Sequence, residues 1–409
     1  MSRQKFVLAL GRAMHALGSP SYRVEDAMVA CSRALGLDGA FFATPTALFA
    51  AVGEPGEEAK TTLIRVVPGD HDLGRLAQLY GIRDRVVKGV LPPEQGLLEV
   101  EAVLAAGGRD WPVRDLCAQA LVGAGAATLL GGGAAEAAVG AIAGLLAGVI
   151  GLLARRRPSL GDVQAALTCA LVAFAVRCAG VFWLPIHVPL TTVAAVIVLL
   201  PGLSFTTALA ELSMRHLAAG SARLMGALAV FVTMAIGVGL GDTLAVKCFG
   251  AGQSATTTPL GDGWLAAALL ANWLAFAVLL RATPRQAPWV LFAVLAGYGG
   301  ARLGASWLGG ELGVVLGAMA VSALGNLHAR WLRQPAAIVR TPGLLLLVPG
   351  SLGLSGLTTA LSGDFAASAP FAFRMLLIGG AIVAGLLFAG VVLPPPLDVE
   401  PDSRRPLRP

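Results

Sequence analysis

The spacing of apolar positions divides the chain into two regions. In the first, Phe6, Val7, Leu10, Met14 and Leu17 recur at helical intervals and predict an amphipathic helix over residues 3–17. Ser19-Pro20 reads as an N-cap followed by a first-turn proline, opening a second helix over about 20–36. Phe41–Val52 and Thr61–Val67 are rich in Phe, Thr, Val and Ile and predict strands, with Glu54–Lys60 as the turn of an antiparallel hairpin. Asp70–Lys88 and Pro93–Ala106 return to helical spacing. Beyond Trp111 the pattern becomes long apolar runs. Ten of them, near 115–134, 136–154, 160–182, 188–210, 222–244, 263–281, 287–304, 308–328, 336–361 and 371–393, are long enough to cross roughly 30 Å of hydrocarbon.

One interrupted run occurs twice. Val196-Ile-Val-Leu-Leu-Pro201-Gly202 continues into Thr206-Thr207-Ala-Leu209, and Leu344-Leu-Leu-Leu-Val-Pro349-Gly350 continues into Thr358-Thr359-Ala-Leu361. The offset is 148 residues at Pro-Gly and 152 at Thr-Thr, so the second copy carries about one extra helical turn. Proline removes a backbone donor, and glycine lets the chain bend. In a bilayer, broken backbone is tolerated where it is buried in protein or lines a cavity. Paired interruptions in two halves of a chain point to a transporter's binding site.

Charge follows the same division. Residues 1–115 hold 13 Lys/Arg and 14 Asp/Glu, whereas residues 116–393 hold 14 and 7. The predicted fold is therefore an N-terminal soluble α+β domain (1–112) fused to an α-helical polytopic membrane domain. About ten membrane helices divide into two inverted repeats of five (113–250 and 251–395), since an odd number of spans per repeat reverses its orientation. Residues 396–409, after Pro394-Pro-Pro, predict a disordered tail. Alternate loops carry Arg155, Arg156, Arg157, Arg215, Arg281, Arg285, Arg330 and Arg333, with Arg404, Arg405 and Arg408 in the tail. The opposite loops carry little beyond Lys247 and Arg302, which predicts cytoplasmic N- and C-termini. The net charge of +6 is accounted for by these loops and gives no reason to expect nucleic acid. Five cysteines lack metal or CxxC spacing, no signal peptide is legible, and neither a cofactor nor a metal is expected.

Each candidate site residue has a structural reading beside the functional one. Pro201-Gly202 and Pro349-Gly350 free backbone groups that could bind a zwitterion, or they are packing kinks. The hydroxyls of Thr206, Thr207, Thr358 and Thr359 could face substrate or bond back to the preceding turn. Arg177, costly inside a span, could take a substrate carboxylate or snorkel outward. Glu211 follows the first broken helix and could carry a proton or be a solvated cap; Asp242 and Asp364 read as solvated. Asn272 and Asn326 read as interhelical glue, and Arg223 and Arg374 as partners of nearby acids. Glu136 and Glu311 fit the outer interface. Asp70-His71-Asp72 reads as N-capping rather than metal binding, and no nucleophile–base–orienter set can be assembled, which argues against an enzyme.

The motifs in order resemble the threonine/serine exporters over nearly the whole chain. The matching fragments are Gly18-Ser-Pro-Ser-Tyr22-Arg23-Val-Glu25, Phe42-Ala-Thr44-Pro45-Thr46, Arg65-Val-Val-Pro68-Gly69-Asp70, Leu200-Pro201-Gly202 with Glu211, and Gly220-Ser-Ala-Arg223. The family exists as fused chains and as two subunits, and this chain resembles the fused form. The resemblance singles out Tyr22, Arg23, Glu25, Thr44 and Thr46 in the N-terminal part. It implies secondary-active export of threonine and serine from the cytoplasm, driven by the proton motive force, across a bacterial inner membrane. A homo-oligomer is compatible with the sequence. Split members linked to succinate make dicarboxylate export the second reading, and a membrane-anchored enzyme or sensor the third.

Overall fold

Four helices and a meander form the N-terminal layer: α1 (Ser2–Ala16), α2 (Ser21–Ala34), β1 (Asp38–Thr44), β2 (Ala47–Gly53), β3 (Lys60–Arg65), α3 (Leu73–Val87) and α4 (Pro93–Ala105). The computed structural model describes residues 2–67, 69, 71–107, 112–252 and 257–395. Pro68, Asp70, the boundary residue Trp111 and the tail predicted over 396–409 lie outside the described residues. The strand predicted over Phe41–Val52 is two strands. Pro45-Thr46 turns the chain so that Thr44 pairs with Ala47, and β3 completes an antiparallel sheet of order β1-β2-β3. The sheet and helices share a core of Phe6, Leu10, Met14, Met28, Leu48 and Leu79. That core satisfies the apolar spacing of α1, whose Phe6, Val7, Leu10 and Met14 are fully buried.

The remaining chain is helical: α5 (Pro112–Leu129), α6 (Ala134–Arg156), α7 (Gln164–Phe182), α8 (Val188–Ala195), α9 (Gly202–Ser213), α10 (Leu217–Phe249), α11 (Asp262–Leu279), α12 (Ala287–Leu308), α13 (Gly310–Leu332), α14 (Ala337–Leu347), α15 (Gly350–Leu361) and α16 (Phe365–Val392). Among the described residues, seven helices are long and apolar enough to cross a membrane, counting α14–α15 as one; α8–α9, bent by 56°, makes eight. The chain is thus a polytopic helical membrane protein. This falls short of the ten predicted spans. α5 opens with Arg114 and Asp115 and is otherwise diluted by Gly and Ala, and α12 is interrupted by glycines and Arg302, and neither is among the helices long and apolar enough to cross. Both are nonetheless packed in the bundle, α5 on α6 and α11, α12 on α13 and α14. Small residues bring helices close: a Cβ at Gly237 or Gly241 of α10 would overlap the carbonyls of Ala166 and Ala170 on α7.

Helix pairing is reciprocal between the halves. α7 packs on α10 as α13 packs on α16, and α10 touches α15 as α16 touches α9. The N-terminal layer sits on one end of this bundle. There the Leu73 amide at the start of α3 donates to the Leu280 carbonyl at the end of α11, at 3.0 Å. This joins the positive end of one helix dipole to the negative end of another. Arg215, Arg281 and Arg333 close the C-termini of α9, α11 and α13 with left-handed backbone, φ 66°, 52° and 52°. Cations at these carbonyl-rich ends complement the helix dipoles.

Candidate functional site: crossed helix breaks under the N-terminal layer

Both interrupted helices break with the same backbone geometry. Leu200 and Pro201 adopt φ −63°, ψ 128° and φ −77°, ψ 34°; Val348 and Pro349 adopt φ −63°, ψ 132° and φ −80°, ψ 34°. Each extended residue releases carbonyls from the preceding turn, and each proline starts a new 12-residue helix. The two breaks touch. A Cβ added to Gly202 would overlap Val348 Cγ1 and lie 3.2 Å from Gly350 Cα, and one added to Gly350 would lie 3.1 Å from Leu200 Cβ. At Gly202 a side chain cannot be added without moving the crossing, and at Gly350 the fit is tight.

A cavity of about 690 Å³ opens beside the crossing, beneath the N-terminal layer. Its roof includes Tyr22 and Arg23 from α2 and Tyr80 from α3; its walls include Leu203, Thr206 and Thr207 from α9, Ser322 from α13, and Arg340 and Thr341 from α14. Thr206 is buried and donates to the carbonyls of Gly202 and Leu203, both at 3.1 Å. Thr358 and Thr359 likewise donate back into their own helix, to Leu354 and Ser355. Back-bonding uses each hydroxyl proton and leaves the oxygen's acceptor capacity. Of the four threonines, only Thr206 and Thr207 line the cavity.

Glu211 is fully buried where the layer meets the bundle. It accepts from Arg223 Nε at 2.9 Å, from Arg223 Nη2 at 3.0 Å and from the Ser21 backbone N–H at 3.0 Å. Helix α2 therefore has no side-chain cap of its own at Pro20, and a carboxylate from α9 takes its first free amide instead of the predicted Ser19. Beside this clasp, Glu25 lies 3.5 Å from His216, and the Tyr22 ring is 6.1 Å from that imidazole.

The rest of the N-terminal motif divides between roof and frame. Tyr22 and Arg23 face the cavity. Glu25 accepts from Ala43 N–H at 2.7 Å and ties α2 to the sheet, while Thr44 Oγ1 donates to Ala47 O at 3.3 Å and the Thr46 carbonyl accepts from Val66 N–H at 3.0 Å, both within the meander. Burial raises the Glu25 carboxyl above its usual 4.5, outweighing the bond from Ala43. A raised folded value means this group favours the folded state below pH 4.5 and loses that contribution as pH rises through the folded value. Glu25→Gln, which keeps the acceptor oxygen, should therefore gain thermal stability relative to the parent as pH climbs from about 4 to 7. A pH-independent difference in melting temperature would contradict this account.

Arg177 lies away from the cavity. Its guanidinium donates to both oxygens of Asp242, at 2.7 and 3.1 Å, and to the Ala251 carbonyl at 3.0 Å. Asp242, read from sequence as solvated, is thus ion-paired. Arg374 pairs with Glu311 at 2.7 Å, and Asp364 caps α16 through the Ala367 amide. Glu136 is buried and bridges two connections, accepting from Gly133 N–H at 2.8 Å and His187 N–H at 3.0 Å. Asn272 donates to Ala268 O. Asp72 caps α3 by accepting from Arg75 N–H at 2.8 Å.

Comparison with known proteins fits this architecture. Residues 5–245 match a family model described as "Putative threonine/serine exporter", and residues 265–392 match a second described as "Threonine/Serine exporter, ThrE". The chain belongs to the threonine/serine exporter family. It carries both family regions in one polypeptide, the fused arrangement. Among its relatives are an uncharacterised protein of Schizosaccharomyces pombe, 23% identical over 87% of this chain and 44% of its own length, and the pheromone-regulated membrane protein 10 of Saccharomyces cerevisiae, 25% identical over 88% and 48%. The Candida albicans pheromone-regulated membrane protein 10 is 25% identical over 97% of this chain and 38% of its own. The chain thus spans less than half the length of these curated relatives. No solved structure matches it.

Several cavity residues of this exporter-family chain carry no sequence signal, Tyr80 and Ser322 among them, but Arg340 does. Arg340 lies in α14, nine positions before Pro349, and was hidden by the apolar residues around it. The available signal was a single charge inside a predicted span. The register that aligns the two Pro-Gly pairs sets it opposite Thr192 of α8, so this charge has no counterpart in the first half.

Proposed function

We propose that this chain is a secondary exporter of small hydroxy amino acids, threonine and serine, with substrate held beside the crossed breaks. The observation that carries the reading is the contact of two identically broken membrane helices next to a cavity whose mainly apolar lining includes hydroxyls and guanidinium groups. Interrupted helices at matching places in two halves are how transporters build midplane sites. Residues 113–250 and 251–395 then act as inverted five-helix repeats, a reading supported by their reciprocal packing. The layer formed by residues 1–112 faces the cytoplasm of a bacterial cell, supported by the arginine-closed helix ends beneath it. Alternating access rocks the halves about Pro201-Gly202 and Pro349-Gly350, with Thr206 and Thr207 toward substrate and Thr358 and Thr359 in the matching turn.

Glu211 is the proton carrier in this reading. Protonation removes the charge that Arg223 and the Ser21 amide hold, so proton uptake loosens the N-terminal layer over the cavity. The test is counterflow of labelled threonine into proteoliposomes, with and without a pH gradient, and with succinate as competing load. Gradient-sensitive threonine uptake is expected. Absence of threonine flux beside clear succinate flux would replace the reading with dicarboxylate export. One observation favours that second reading: among the described residues the cavity lining includes Arg23, Arg83, Lys88, Arg330, Arg333 and Arg340 but only Asp26 and Asp84 as acids.

A further inference from the structure

We infer that Arg340 is the substrate anchor, a guanidinium that binds the ligand's carboxylate in the cavity beside the crossed breaks. The inference deepens the exporter reading and rests on it for the location of the site. It makes the ligand class explicit: a small molecule carrying at least one carboxylate.

Three observations converge. First, Arg340 is held but not neutralised. Its Nη2 donates to Asn326 Oδ1, while Asn326 Nδ2 donates to the Leu393 carbonyl at 2.6 Å, which fixes the amide and with it one edge of the guanidinium. Among the described residues no carboxylate pairs with it, in contrast to Arg177, Arg223 and Arg374, each of which has an acid within 2.9 Å. Secondly, its Nε is buried without a hydrogen-bond partner, and Arg340 lines the cavity. An unsatisfied buried donor on a charged group is costly unless something arrives to accept from it. A guanidinium whose buried Nε–H has no acceptor matches a carboxylate oxygen. Thirdly, a second orphan lies on the same wall. Ser322 Oγ, fully buried and without a partner, belongs to α13 one turn before Asn326 and also lines the cavity. A ligand with a carboxylate and a neighbouring hydroxyl, ammonium or second carboxylate would satisfy both donors together. The roof over this wall is aromatic and cationic, with Tyr22, Arg23 and Tyr80 lining the same cavity as Arg340. The N-terminal layer thus closes the site that Arg340 anchors.

The experiment measures modification of Arg340 by phenylglyoxal, followed by peptide mass spectrometry, on the full-length purified protein. L-threonine, L-serine and succinate are the probes, and L-threoninol, which lacks the carboxylate, is the control. At least one carboxylate is expected to slow modification of Arg340 by about tenfold, and threoninol is not. In proteoliposomes Arg340→Lys should raise the KM for that carboxylate about tenfold, because the ammonium keeps the charge but loses the fork, and Arg340→Gln should abolish saturable flux. Equal modification with and without every carboxylate overturns the inference, as does protection by threoninol equal to that by threonine; neither readout needs a variant to fold. Protection and flux with succinate alone would retire the hydroxy-amino-acid reading and keep the anchor. Threonine flux with an unchanged KM in Arg340→Gln would keep the exporter reading and retire the anchor.

Discussion

Gly202→Ala should lower threonine counterflow at least about tenfold and destabilise the protein by about 1–3 kcal/mol, the usual cost of overpacking a filled core. The added methyl would overlap Val348 Cγ1 and press on backbone, with Gly350 Cα at 3.2 Å and Gly350 N at 3.3 Å. A β-branched side chain has little rotamer freedom to retreat, and backbone has less. The two breaks must then separate, and the cavity wall formed by α9 moves with them. Val348→Ala deletes the first obstacle, so the double variant should recover part of both stability and flux, while the 3.2 Å backbone contact keeps recovery incomplete. Gly350→Ala should be milder, because its methyl meets Leu200 Cβ at 3.1 Å and Cδ1 at 3.4 Å, the latter at the movable end of a side chain. Thermal midpoints and initial rates on the four proteins check this order. A fully active Gly202→Ala protein would mean that contact between the breaks is not required for transport.

That crossing was partly legible beforehand. Pro-Gly within an apolar run forces a break wherever it occurs, and two copies in one order imply matched positions, so the near-equal dihedrals at Pro201 and Pro349 follow from local chemistry. Contact between the breaks did not follow, because it depends on how helices 148 residues apart pack. The same limit hid the ion pair of Arg177 with Asp242, 65 positions apart; Arg223 reads as the partner of a nearby acid, but no helical spacing marks that acid as Glu211, 12 positions before it. It also hid the cap of α2, supplied from 190 positions away. Pro45-Thr46 was read through as strand because the residues on either side are uniformly β-forming. Arg340 is legible only as a single charge inside a predicted span, and nothing local separates it from Arg177, which has the same signal but proves to be ion-paired. Local signals thus located the breaks and the helices, whereas the pairing of charges needed the tertiary structure.

Glu211→Ala should cost about 3–5 kcal/mol, since removing one member of a buried pair strands the other. The side chains of Glu211 and Arg223 are 0% and 18% exposed, so water can replace little of what is lost. Arg223 would keep its charge without a partner, and the Ser21 amide would lose its acceptor at the start of α2. Glu211→Ala with Arg223→Ala should therefore cost less than the sum of the two single changes, because the double variant buries no unpaired cation. Glu211→Gln retains an acceptor oxygen for Ser21 while deleting the charge, so it should fall between parent and alanine in stability. In the exporter reading it should also leave threonine flux insensitive to an imposed pH gradient. Hydrogen exchange localises the effect: amides in the first turn of α2 should lose protection in Glu211→Ala while those of α4, which packs on α1 and α3, keep theirs. If α2 stays protected, the clasp does not hold the layer to the bundle, and the proton-linked release built on it fails as well.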